Sequence, residues 1–327
     1  MSAVTNGWGS DHVAPKPGRL LIGLYPARYR AAHGEDIAAV FADATEGQSR
    51  RAVLRERRDL ASHALRLRLR IGPTDPAGRV LAGAAPVALA LAAGCALAFL
   101  LPNLRPMVHE IRYPIRGLGL RNALMSAVFI LAYTAPWPVA LAFAVLGRWR
   151  AARIAGVVAT LLTLAVYATN GLAFAWVIGE MAATAAVGAV VLLAPSGLVD
   201  VTQRGRWEMA GIALAIGLPL GLGRQFGIDL SWRFDLLPVW LSVVTAAVLL
   251  GRLSARRPDR LLAFGVGLGV VPWMMPFAAA VLHGAVRMPT LLRYGGAFLA
   301  PLGAAVALAG VVHLARRVRA TEPSDPA

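Results

Sequence analysis

The sequence predicts an all-α fold: a polytopic membrane helix bundle of about eight spans, preceded by a small N-terminal cytoplasmic helical domain. Three observations predict it. Hydrophobic residues make up 57% of the 327-residue chain and charged residues 15%, with a mean hydropathy of +0.61, a balance unlike that of ordinary soluble domains. Apolar runs near the length a helix needs to cross a hydrocarbon core of about 30 Å recur after residue 80. Basic residues then fall unequally on the two sides that those runs define.

The runs cover residues 80–101, 122–146, 154–173, 179–198, 208–223, 236–251, 261–282 and 295–315. The third and fourth share one apolar stretch of 45 residues, too long for a single crossing, so a break is expected near 174–178. The fifth and sixth hold only 16 residues each. The first eighteen residues contain no apolar signal core, so the first run reads as a true span. Counted by alternate sides, 25 Lys and Arg residues lie on one side and 8 on the other. The positive-inside rule then puts both termini in the cytoplasm of a bacterial plasma membrane. Topology accounts in this way for most of the formal net charge of +16, and no nucleic-acid partner is expected.

Residues 1–18 are expected to be a disordered N-terminus, 19–75 a cytoplasmic helical prefix domain, 76–316 the transmembrane domain and 317–327 a disordered cytoplasmic tail. In the prefix, Pro26 suits the first turn of a helix, where its missing N–H is not needed. Tyr29, Ile37, Val40, Phe41 and Ala44 then recur at helical spacing, with charged residues around the rest. Gly34 weakens that helix by about 1 kcal/mol relative to alanine, so a bend or a close approach is expected there. A further helix is predicted over 50–69. Its end, Ala64-Leu-Arg-Leu-Arg-Leu-Arg70, alternates like a strand, but an isolated strand has no sheet to join. A basic helix end near anionic lipid headgroups fits better, with Arg66, Arg68 and Arg70 reaching phosphate. Residues 72–78 then form a linker.

The pattern Leu24-Tyr25-Pro26-x-Arg28-Tyr29-Arg30-x-x-His33-Gly34-Glu35-Asp36 resembles the N-terminal signature of a group of uncharacterised actinobacterial multi-pass membrane proteins. It is similar, more distantly, to the helical prefix domains ahead of some bacterial ABC-type permeases and to helical signalling domains associated with transcription regulators. The resemblance covers about fifty residues. It implies a small helical bundle that docks on something, and Tyr25, Arg28, Tyr29, His33 and Glu35 are its candidate partner-binding residues. The large extracytoplasmic domain of those permeases has no counterpart here.

Several chemistries lack their residues. Lys16 is the only lysine, which excludes a Walker A loop and a lysine Schiff base. Cys95 is the only cysteine, so there is no intrachain disulfide and no Cys-rich metal site. His33-Gly-Glu-Asp36 places an imidazole beside carboxylates, but adjacent helical residues point apart and do not converge on a metal. His109-Glu110-Ile111-Arg112-Tyr113 has Tyr113 where the zinc-holding HExxH needs its second histidine. No metal, cofactor or catalytic residue is expected.

Within the spans, ionisable groups at membrane depth are functional candidates. Glu180 is the only acid in the long third-to-fourth stretch. It is placed toward the outer end of the fourth span near Trp176. Asn170 and Thr184 are its expected polar neighbours, and the outer-loop arginines Arg112, Arg116, Arg224 and Arg233 its candidate ion partners. Pro and Gly interrupt several spans, as at Pro136, Pro138, Pro219, Pro272 and Pro276, a feature of transporter sites and of membrane helices generally. The expected function is therefore a non-enzymatic membrane protein whose head meets a partner or the inner leaflet, in a signalling or accessory role. The alternative is a transporter or permease component for a hydrophobic or zwitterionic small molecule, with Glu180 in its path.

Overall fold

The structure is a computed structural model that describes residues 19–72, 74–113, 119–169, 175–223, 237–255, 259–276, 279 and 288–321. Among these residues every regular element is a helix. The chain divides into two compact units, Met1–Asp75 and Pro76–Ala327.

In the first unit, α1 (Arg19–Gly23), α2 (Ala27–Thr45) and α3 (Arg50–Leu69) form a small helical head. Pro26 stands just ahead of α2, where a fixed φ favours the entry and no intrahelical donor is lost. Gly47 turns the chain at φ +65°, a conformation that suits glycine, and the Ser49 hydroxyl then accepts from the Ala52 N–H at 3.4 Å to cap α3. The arginine-leucine alternation stays helical through Leu69. Arg70 closes the helix in the left-handed conformation, and the Ile71 N–H returns to the Arg66 carbonyl at 2.9 Å. Tyr25, Phe41 and Ala64 are buried between the helices. Gly34 sits in an unbroken α2, and a Cβ there would meet its nearest atom, the Arg30 Cγ, at 3.5 Å. Neither a bend nor a tight contact calls for glycine, contrary to the expectation from sequence.

The second unit contains α4 (Pro76–Arg112), α5 (Gly119–Thr134), α6 (Pro136–Val145), α7 (Trp149–Thr169), α8 (Ala175–Leu193) and α9 (Gln203–Gly223). It continues with α10 (Leu237–Leu253), α11 (Arg260–Val270), a 3-10 turn over Val271–Met274, and α12 (Met288–Thr321). Helix α4 is the hub and packs against α5, α6, α8, α9 and α11. Its middle is apolar all round, and Ala84, Ala85, Ala88, Leu89, Ala90 and Leu91 are all buried. A helix without a polar face needs neighbours or lipid on every side.

Two glycine-bearing helices clasp α4. A Cβ at Gly265 of α11 would overlap the Val80 carbonyl oxygen, and one at Gly83 of α4 would overlap the Leu262 carbonyl oxygen. On the α9 side, a Cβ at Gly94 would lie 2.9 Å from the Ala213 carbonyl oxygen, and one at Gly217 would lie 2.8 Å from the Leu97 Cβ. Small residues four apart, Gly265 with Gly269 and Gly217 with Gly221, let backbones approach in the way that helices associate inside lipid. The outward faces carry large apolar side chains such as Ile154, Leu161, Phe264 and Leu299, each more than 60% exposed. Four segments, Pro76–Arg112, Leu120–Val145, Trp149–Thr169 and Gly295–Arg316, are long and apolar enough to cross a membrane.

Several boundaries differ from the sequence expectation. Helix α4 begins at Pro76, inside the expected 72–78 linker, and runs through the expected outer loop to Arg112. Its 37 residues rise roughly 55 Å at 1.5 Å per residue, well beyond a hydrocarbon core. Pro102 and Pro106 fall inside it, whereas composition alone suggests that they end it. The expected 122–146 helix is split between Thr134 and Pro136 into α5 and α6, because Pro136 and Pro138 each remove a backbone donor. Helix α12 reaches Thr321, five residues into the expected tail.

Opposite outcomes follow for two glycines. Gly265→Val should destabilise the bundle by about 1–3 kcal/mol through overpacking, lowering the melting temperature in detergent. Gly34→Ala should instead stabilise α2 by about 0.5–1 kcal/mol, read as slower amide exchange in that helix.

Candidate functional site

The head presents a shallow groove of about 420 Å³ between α2 and α3. Its floor is apolar, from Ile37, Val40, Phe41 and Leu60, and its rim carries Asp36, Glu56 and Asp59. The aromatic end is a stack. The Tyr25 and Tyr29 rings lie 5.6 Å apart and nearly parallel at 12°, and the Tyr29 and His33 rings lie 4.8 Å apart one turn along α2. The Tyr25 hydroxyl is 3.1 Å from His63 Nδ1. Burial, then the neighbouring Tyr29, push the Tyr25 hydroxyl above its ordinary pKa. Burial, then the Arg66 charge, hold the His63 imidazole below its ordinary value.

The structure sorts the expected docking residues. Tyr29 and His33 line the groove, with His33 forming an exposed 3.9 Å pair with Asp36. Tyr25 also borders it but is only 1% exposed, so it builds the groove instead of offering a free side chain. Arg28 and Glu35 are exposed and lie outside the groove lining. The acids of α3, Glu56 and Asp59, were not among the expected residues. Their signal lies in the pattern of α3, where they sit apart from the arginine-rich face.

A second polar group lies within the bundle. The Tyr167 hydroxyl on α7 donates to Oε2 of Glu180 on α8, and the Tyr133 hydroxyl on α5 is 2.6 Å from that of Tyr167. The Tyr133 and Tyr167 rings meet edge to face at 84°, and Phe99 of α4 packs edge-on to Tyr133 with centroids 5.6 Å apart. Glu180 thus joins α8 to α7 and α5 through phenols, a partner class that a search for arginines misses. Tyr167 lies near the end of α7 and Glu180 near the start of α8, and the packing of these two helices brings them together. Of the other expected neighbours, Asn170, Arg116, Arg224 and Arg233, with the side chain of Trp176, lie outside the described residues.

A third group ties helix ends by charge. Arg252 of α10 reaches Glu208 of α9 through both Nε and Nη2, at 3.2 and 2.9 Å, and stands 3.7 Å from Asp200 Oδ2. The Asp200 Oδ1 accepts from the Thr202 N–H at 3.0 Å, and the Thr202 hydroxyl accepts from the Gly205 N–H, which starts α9. Asp259 caps α11 by accepting from Leu261 and Leu262 N–H groups and pairs with Arg79 at the start of α4. Burial opposes ionisation of both aspartates, but hydrogen bonds and arginine charges outweigh it and hold both carboxyls below their ordinary pKa. A cavity of about 20 Å³ lies beside Asp200, Glu208 and Arg252, room for a single water. The Arg252–Glu208 pair ties α10 to α9, the Arg79–Asp259 pair ties α4 to α11, and the cavity beside the first is too small for a substrate. Asp259 ahead of Leu261-Leu262 is a readable cap signal in sequence.

These shifts give the two units opposite responses to mild acid. His63 has a lowered folded pKa, so its unfolded form binds more protons, and its stabilisation fades as pH falls below the ordinary histidine value of about 6.5. Asp200 and Asp259 lose theirs only below the ordinary carboxylate range. Hydrogen exchange compared between about pH 7.5 and about pH 5 should therefore show α2 and α3 losing protection while α9 and α11 keep it. His63→Gln should remove the difference in the head.

Comparison with protein-family models, curated proteins and solved structures finds no match to this chain.

Proposed function

We propose that the chain is an eight-span protein of the bacterial plasma membrane, with both termini cytoplasmic, whose helical head is a docking module for a partner protein. It works as an accessory or signalling component and carries out no chemistry of its own. The eight crossings would be α4, the α5–α6 pair, and α7 to α12 individually. Four helical segments long enough to cross and the shorter apolar helices Val177–Leu193, Val239–Leu253 and Arg260–Met274 support seven of these crossings, and α9 is added for its apolar run over 208–223. The unequal basic residues support the orientation.

One observation carries the docking reading. The head holds eleven arginines against seven acids over residues 19–75, yet its apolar groove is rimmed by Asp36, Glu56 and Asp59. Acids gathered around an apolar floor in a basic unit fit a helix that offers apolar anchors flanked by basic residues. The N-terminal signature places Tyr29 and His33 at one end of that groove.

The Glu180–Tyr167–Tyr133 group supports a second reading, in which the bundle passes a hydrophobic or zwitterionic solute along a path that includes Glu180. Buried polar chains of this kind mark such paths in membrane proteins.

The docking reading is tested by placing a photo-crosslinking residue at Val40, which is 67% exposed within the groove lining. The expected product joins Val40 to a basic helical segment of one partner, and disappears when Asp36, Glu56 and Asp59 are changed to arginine. Equal product from the charge-reversed chain would contradict docking. For the transport reading, reconstituted Glu180→Gln chain should lose solute flux, and unchanged flux would remove Glu180 from the path.

A further inference from the structure

Helix α3 has two faces of opposite character. Glu56, Asp59, Leu60 and His63 line the groove. On the other side, Leu54, Leu65 and Leu69 are 62%, 50% and 47% exposed and project, at 3.6 residues per turn, within an arc of about 60°. Arg51, Arg55, Arg58 and Arg66 share or flank that arc on one edge and Arg50 and Arg57 on the other, all exposed. No acid falls among them. The side chains of Arg51, Arg55, Arg57 and Arg58 make no hydrogen bond or ion pair among the described residues. Arg68, by contrast, donates to the Gly23 carbonyl at 2.8 Å, and Arg70 closes the helix. The lipid-facing residues expected from sequence, Arg66, Arg68 and Arg70, are therefore only the end of a longer surface, and Arg68 is partly committed within the head.

We infer that this outward face of α3 lies in the plane of an anionic bilayer, with Leu54, Leu65 and Leu69 entering the headgroup boundary and the flanking arginines on lipid phosphates. The inference rests on the proposed membrane insertion with a cytoplasmic head, and is separate from the groove. Two features select a bilayer over nucleic acid. A polyanion in water gains nothing from three exposed leucines, whereas an interfacial helix needs apolar side chains bracketed by cations. The face is also tethered: six residues, 70–75, join α3 to the apolar α4, a reach of about 20 Å when extended. Each arginine near an anionic surface contributes about 1 kcal/mol, so each one neutralised weakens association roughly fivefold.

The test uses the full chain with Cys95→Ala and an NBD fluorophore on Leu65→Cys. It is reconstituted in nanodiscs of phosphatidylcholine alone or with about one third phosphatidylglycerol. In the anionic discs the emission should shift to the blue and be quenched by doxyl-labelled lipid; in neutral discs, or at high salt, the label should stay in water. Changing Arg51, Arg55, Arg58 and Arg66 together to glutamine should return the label to water in anionic discs. Unchanged hydrogen exchange of α3 in neutral discs shows that this variant keeps its fold, and Arg58→Gln alone should give a graded loss where the fourfold change does not. A label that stays in water in both discs overturns the inference while leaving insertion intact. Equal lipid quenching in both discs, or a response to duplex DNA in place of anionic lipid, overturns it as well. Failure of the chain to insert overturns it together with the proposed spans.

Discussion

The architecture depends on how closely α9 and α11 approach the backbone of α4. Within hydrocarbon, burying one apolar side chain against another gains little over leaving it in lipid, so helices associate through dispersion contacts, polar contacts and backbone proximity. Gly83, Gly94, Gly217 and Gly265 remove the side chains that would hold those backbones apart. Alanine is the commonest residue in the middle of α4, over 82–98, so the hub is thin there as well as apolar. Five other helices find room around it, and the large apolar residues are left for the outer faces.

Charge completes what the small residues begin. Arg252 holds α9 and α10 together through Glu208, and the Arg79–Asp259 pair joins the starts of α4 and α11. The α4–α11 neighbours are thus fixed once by shape and once by an ion pair near the helix starts, whereas the ion pair on α9 ties it to α10. Partly exposed pairs of this sort add modest stability; their effect is to set helix register. In the head, α3 carries Glu56 and Asp59 on its groove side and exposed arginines on the other. The proposed docking groove and the proposed lipid-facing surface therefore fall on separate faces of one short helix.

Much of the helical architecture was legible because hydrophobic runs and helix ends are local signals. The predicted 50–69 helix matches α3, whose start is marked by Ser49 and whose end lies before Arg70. Length alone forbids a single crossing of the long apolar stretch, and α7 and α8 are separate helices, although residues 175–178 of the expected break belong to α8 and 174 lies outside the described residues. Other features were hidden because they depend on tertiary neighbours. Pro102 and Pro106 continue α4, and sequence cannot say when surrounding helices tolerate a proline. The pairing of Glu180 with Tyr167 depends on the hairpin fold, and tyrosine in an apolar helix gives no charge signal. Tyr25 looked like a recognition residue from its motif but proved to be buried core, a distinction that no linear pattern carries. Of the groove acids, Glu56 and Asp59 are visible in sequence only as members of a mixed-charge helix.

Helix α4 is proposed to cross the bilayer with its start in the cytoplasm, and the orientation of every later helix follows from it. Single cysteines placed at Asp75 and at Val108 in a Cys95→Ala background bracket that helix, and a membrane-impermeant maleimide applied to intact cells reports the side of each. The account predicts that the cysteine at 108 labels in intact cells and that the one at 75 labels only after permeabilisation. Labelling of both from the same side, or of 75 alone in intact cells, would contradict it.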